Sequence, residues 1–152
     1  MDLDSDEPVW TPPAHRTKNR EGHRVPLSPI AVDLIREAKS LSGESEYVFP
    51  SPKGDQPIGA MAATRAMVRA RPILGLDDFR IHDLQRTAAT GMAQLGISPH
   101  TISLVLNHVS ARKGTITSTV YVKYSYDAEK RAALNAWGAH LKKVLGQPIT
   151  HA

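Results

Sequence analysis

His82 and Arg86 stand four residues apart in Ile81-His82-Asp83-Leu84-Gln85-Arg86-Thr87, His108 closes Leu106-Asn107-His108, and Tyr121 follows a loop holding Arg112, Lys113 and Gly114. If His82 and Arg86 begin a helix, their spacing puts both side chains on one face, a turn apart. A guanidinium that keeps its charge then adjoins an imidazole able to exchange a proton. That pairing suits a phosphate in transition.

Phosphodiester cleavage needs a nucleophile, positive groups for the equatorial oxygens and an acid for the departing alkoxide. A tyrosine can attack, but its phenol titrates near pH ~10, so a neighbouring base or cation must activate it. His82 and His108 can move the proton, and Arg86 can hold two phosphate oxygens at once. A lysine among arginines has its pKa lowered and can protonate the leaving 5′-oxygen. Lys18, close to Arg16 and Arg20, fits that description.

The elements that must position these groups are read from local signals. Val9-Trp10-Thr11 and Arg24-Val25-Pro26-Leu27 flank a polar stretch with Asn19 and Gly22, which predicts a hairpin confined to an edge by Pro12, Pro13 and Pro26. Its tip holds Arg16, Lys18, Arg20 and Arg24 against one acid, Glu21, and is read as a phosphate-contacting surface. Ser28-Pro29 predicts a helix start and Gly43 its end, with Ile30, Leu34, Ile35, Ala38 and Leu41 on one side. Tyr47 to Pro50 reads as a short buried connection, and Ser51 to Gly59 as an exposed Pro/Gly loop. A second helix with a basic side runs from Ala60 to about Arg71, where Pro72 is expected to stop it.

The spacing predicts a third helix from about His82 to Leu95, its buried face marked by Leu84, Ala88, Met92 and Leu95. Ser98-Pro99 repeats the cap-and-proline start for a short helix ending near Asn107. Thr117 to Tyr124 is ambivalent and is assigned helix. Asp127 is expected to cap a last helix from Ala128 to about Leu145, with Leu134, Trp137, Leu141 and Leu145 on one face, read as packing within the same protomer with docking on a neighbouring one as the alternative. The fold class is mainly α with a small N-terminal β-hairpin. Residues 1–8 form an acidic mobile end or truncated strand, 9–146 the domain and 147–152 a tail.

A chain of 152 residues can bury a core unaided, and the lack of cysteine excludes thiol catalysis, a cysteine-ligated zinc ribbon and disulfides. The scattered histidines form no metal-ligand spacing, so neither metal nor cofactor is expected. No apolar run reaches the ~20 residues of a membrane span and no signal peptide is evident, so the protein is read as cytoplasmic. The net charge of +4 understates the basic character, because Asp2, Asp4, Asp6 and Glu7 crowd one end. Such a surplus fits a polyanion partner as well as a solubilising surface.

The run Ile81 to Thr90, Leu106-Asn107-His108, and Tyr121 with Tyr126 and Asp127-Ala128-Glu129-Lys130-Arg131 resemble the catalytic domain of phage-integrase-type tyrosine recombinases. Arg16-Thr17-Lys18-Asn19 and His23 to Ser28 are similar to the hairpin bearing that family's catalytic lysine. The likeness covers roughly residues 9 to 145, with four motifs in order. It implies metal-free strand exchange on double-stranded attachment sites, through a 3′-phosphotyrosyl bond that a partner strand's 5′-hydroxyl reverses. Tyr121 is then the nucleophile, Arg86 the second active-site arginine, His82 and His108 the flanking histidines and Lys18 the general acid. Arg16, Arg20, Arg24, Arg112 and Lys113 would contact DNA, and protomers would assemble on it, as a tetramer in the synapse. Tyr124 and Tyr126 compete for the nucleophile's role, and Arg16 and Arg20 leave the register of the lysine open.

Asn107 departs from the glycine usual before the second histidine, and Gln85 from the basic residue usual before the arginine. The resemblance further implies a first arginine in a Gly-Xaa-Arg-Xaa-Gly-Glu-like segment upstream of the hairpin, and nothing before Val9 provides it. The chain is therefore expected to be a fragment that binds DNA weakly and cleaves it poorly, if at all, since such an arginine can be worth ~10³- to 10⁵-fold. A non-catalytic DNA-binding or assembly module and a type IB topoisomerase-like activity are the alternatives.

Overall fold

The computed structural model describes residues 2–17, 22–108 and 124–146. In order these form β1 (Val9–Trp10), a 3₁₀ turn (Ala14–Arg16), β2 (Val25–Pro26), α1 (Pro29–Leu41), β3 (Pro50–Ser51), β4 (Gly54–Pro57), α2 (Ala62–Leu74), α3 (Ile81–Gln94), α4 (Pro99–Val105) and α5 (Asp127–Leu145). The mainly helical fold with a short hairpin near the N-terminus agrees with the sequence reading. The chain divides into two compact units, one of residues 1–32 and 89–152, the other of 33–88.

In the first unit β1 and β2 pair antiparallel, Val9 opposite Pro26 and Trp10 opposite Val25, and the Leu27 N–H extends the ladder to the Pro8 carbonyl at 2.9 Å. Pro26 has no N–H to give, which suits a two-stranded ribbon. α5 lies against β2 and α4. Among the described residues Leu27, Val32, Met92, Ile102, Leu104 and Ala133 are buried, Met92 only 1% exposed, and Pro26 is fully enclosed as well. Two glycines allow the close approaches. A Cβ on Gly91 would fall 2.2 Å from Trp137 Cζ3, and one on Gly138 would fall 2.9 Å from Ile30 Cγ2 and 3.1 Å from Ser28 Oγ. Trp137 is thus seated on the backbone of α3, and it stacks on its other neighbour, His140, at 5.5 Å between ring centroids.

In the second unit the segment read as an exposed loop contains a second hairpin, β3 with β4, extended by the Ile58 N–H donating to the Phe49 carbonyl at 3.0 Å. Two-residue pairings among Gly and Pro leave no alternating pattern, so the sequence showed only the turn. Lys39 Nζ donates to the Ser45 carbonyl, and Ser45 Oγ donates to Asp55 at 2.7 Å, tying α1 to β4. Pro72 does not stop α2. The helix runs on to Leu74 and ends where Gly75 takes a left-handed φ of 63°. A proline costs a helix one N–H bond and a local clash, whereas a left-handed residue turns the chain away.

Several side chains expected to be buried are not. Phe49 is 60% exposed, Leu84 50% and Leu145 76%, and Leu95 and Tyr47 are also exposed. None of residues 33–88 is buried. On α3 only Met92 and Gly91 are enclosed, so its apolar stripe narrows to the stretch that meets Trp137.

Candidate active site

His82 and Arg86 occupy one side of α3, one turn apart and both exposed. Asp83 sets where that helix begins. Its Oδ2 accepts from the Arg80 N–H at 2.9 Å, while the Asp83 N–H donates to the Arg80 carbonyl at 2.9 Å. This is the acidic half of a capping box, and it places a carboxylate at the positive end of the helix dipole. The loop before it is fixed by Arg71, whose Nε donates to the Phe79 carbonyl at 2.7 Å. Arg65 and Arg69 stay on the exposed side of α2.

His108 belongs to the first unit, directly after α4. Ser98 caps that helix, accepting from the Thr101 N–H at 3.2 Å, and Pro99 takes its first turn. At the other end Asn107 adopts φ 54°, the His108 N–H donates to the Ser103 carbonyl at 3.0 Å and the Asn107 N–H to Leu104 at 3.3 Å. These bonds are a Schellman termination, which wants glycine or asparagine at its left-handed position. The departure from glycine at 107 is thereby explained: asparagine meets the same backbone demand, and the exposed His108 is delivered by it.

The hairpin and the start of α5 meet through charges. Asp127 Oδ2 lies 2.6 Å from Arg24 Nε, Asp127 Oδ1 lies 2.9 Å from Lys130 Nζ, and that ammonium donates to the Arg24 carbonyl at 2.8 Å. Lys130 is 4% exposed, so its charge is tolerable only because these partners replace water. Burial pushes the Asp127 carboxyl up, but its bonds to Arg24 and Lys130 and their charges outweigh this and hold it below its ordinary value. Arg131 reaches the Glu7 and Pro8 carbonyls at 3.3 and 3.5 Å, which ties these two residues to α5. Asp127 is not a cap. It is the first residue of α5, and the cap position belongs to Tyr126, at φ 52° with no side-chain bond.

Of the tyrosines, Tyr124 donates its hydroxyl to Glu129 at 3.0 Å, and that hydrogen bond and the Glu129 charge raise its phenol above its ordinary pKa of 10.0. That is the wrong direction for a nucleophile. Tyr126 packs edge-on against His100 and Tyr124, at 5.4 and 4.7 Å between ring centroids. Lys18, Arg20, Arg112, Lys113 and Tyr121 lie outside the described residues, as does the helix expected over 117–124 except for its last residue, Tyr124, which is not helical. Arg16 ends the 3₁₀ turn, exposed, its N–H on the Pro13 carbonyl at 2.9 Å. Among the described residues no three His, Cys, Asp or Glu side chains gather as metal ligands, and no helix is long and apolar enough to cross a membrane.

The phage integrase family model matches residues 1–126. The chain belongs to the phage integrase family. It is similar to the prophage integrase IntA of Escherichia coli K12, 32% identical over 93% of this chain and 33% of that protein, and to the prophage integrase IntZ of the same strain, 30% identical over 97% and 36%. The integrase of Enterobacteria phage P4 is 26% identical over 92% of this chain and 34% of its own length. This phage integrase family chain thus spans about a third of the length of the curated relatives it matches. No solved structure matches it.

Within this integrase-family chain, sequence reasoning missed Asp83 as the residue that fixes the start of α3, although an acid three residues into a helix is a capping signal. It also missed the enclosed Lys130. Nothing local reveals that residue, because its carbonyl partner is 106 positions away.

Proposed function

We propose that the chain provides most of the active site of a tyrosine site-specific recombinase acting on double-stranded DNA attachment sites. The observation that carries the reading is the exposed His82 and Arg86 pair on α3, held in register by Asp83. Arg86 grips two oxygens of the scissile phosphate, and His82 and His108 accept and return the proton of the attacking phenol. Tyr121 Oη bonds to phosphorus as the bond to the 5′-oxygen breaks, and Lys18 gives that oxygen its proton. Attack by a partner strand's 5′-hydroxyl reverses each transfer. Arg16, Arg20, Arg112 and Lys113 neutralise flanking phosphates, and Arg24 adds to them from a guanidinium already paired through Nε with Asp127.

The first arginine of the family pattern is absent from these residues, so cleavage by this chain alone is slow. A nicked duplex that sheds its short 5′ fragment should accumulate a covalent protein–DNA adduct, lost in Tyr121→Phe. A 5′-bridging sulfur, which leaves without an acid, should rescue Lys18→Ala. Salt-sensitive DNA binding with no adduct would assign the chain to a DNA-binding or assembly module instead. Relaxation of supercoiled DNA without strand exchange would favour the topoisomerase-like reading.

A further inference from the structure

Arg24 stands six residues after Lys18, and Asp127 six residues after Tyr121. The Arg24–Asp127 pair at 2.6 Å therefore joins the chain leaving one to the chain following the other, across a separation of 103 residues. Lys130 locks the junction from below, its buried ammonium bound to the Arg24 carbonyl at 2.8 Å and to Asp127 at 2.9 Å. The carboxylate is held in turn by its place at the first residue of α5, where its N–H meets Ser125 Oγ at 3.4 Å and the Lys130 N–H bonds the Tyr126 carbonyl at 3.0 Å. Asp127 is charged at neutral pH, and Arg24 and Lys130 hold its pKa below the ordinary value.

We infer that Asp127 is a positioning residue for strand cleavage, clamping the base of the hairpin to the start of α5 so that the acid and the nucleophile are tethered to one anchored point. Six residues span at most ~20 Å when extended, so each group works within a short tether of the clamp. Without it the two tethers are anchored independently, and misplacement by about 1 Å can cost ~10²-fold in rate. The inference rests on the recombinase reading for its catalytic consequence, while the clamp itself stands on the contacts alone.

Hydrogen exchange of the full chain without DNA tests the clamp. Asp127→Asn should speed exchange of the amides in residues 11–24 about tenfold and leave α4 as it was. Arg24→Gln, at an exposed side chain that folding tolerates, should do the same to residues 124–130, and Asp127→Glu should restore protection. Unchanged exchange in 11–24 and in 124–130 would overturn the clamp. On the nicked duplex Asp127→Asn should slow adduct formation ~10- to 10²-fold, with much of the loss recovered by the 5′-bridging sulfur. An undiminished adduct rate would overturn the positioning role. If the unaltered chain forms no adduct on either DNA, the recombinase reading fails, and the exchange measurement still decides the clamp.

Discussion

The backbone N–H of Arg80 donates to the Asp83 carboxylate at 2.9 Å, so the residue between His82 and Leu84 fixes the first turn of the helix that presents His82 and Arg86. A charge-assisted cap of this kind is worth about 0.5–2 kcal/mol. Asp83→Ala should lower stability by that amount in urea unfolding. It should also slow cleavage more than an equally destabilising change on α5, measured as adduct formation on nicked DNA.

Asn107 at φ 54° predicts an asymmetric response to substitution. Asn107→Gly should be neutral or slightly stabilising, because glycine takes the left-handed region without strain. Asn107→Val should cost about 1–2 kcal/mol by urea unfolding and disturb the placement of His108.

Trp137 rests where a Cβ of residue 91 would lie, at 2.2 Å. Gly91→Ala must displace a large ring and should cost about 1–3 kcal/mol. Trp137→Leu costs stability by itself, but the double variant should lose less than the two single changes added together, a coupling that a double-mutant cycle measures.

These cases show what local sequence could reveal. Ser98-Pro99, Ser28-Pro29 and the four-residue spacing of His82 and Arg86 encode their structure within one or two helical turns, and the pairing of Val9-Trp10 with Val25-Pro26 is marked by two short apolar runs around a polar stretch. The β3–β4 pairing is too short to leave a periodic trace, and Leu84 and Leu145 carry an apolar pattern that the fold does not enclose. Asp127 looked like a helix cap because its neighbours permit one. Its partner Arg24 is 103 residues away, and only the folded chain reveals the preference for an ion pair.

Asp127 should also leave a mark on acid stability. Its folded pKa lies below the ordinary 3.8, so the unfolded chain binds the proton more tightly. The stabilisation is complete above that ordinary value and is lost as pH falls through the lower folded one. Urea midpoints followed from about pH 6 into acid should therefore fall more steeply in the unaltered chain than in Asp127→Asn.

Tyr121 as the attacking residue is the centre of the account, and peptide mapping of the covalent adduct tests it most directly. After a nicked duplex traps the intermediate, proteolysis and mass spectrometry should find the 3′-phosphonucleotide on Tyr121, with none on Tyr124, whose hydroxyl is committed to Glu129. A nucleotide on Tyr124 or Tyr126, or an adduct that persists in Tyr121→Phe, would contradict the account.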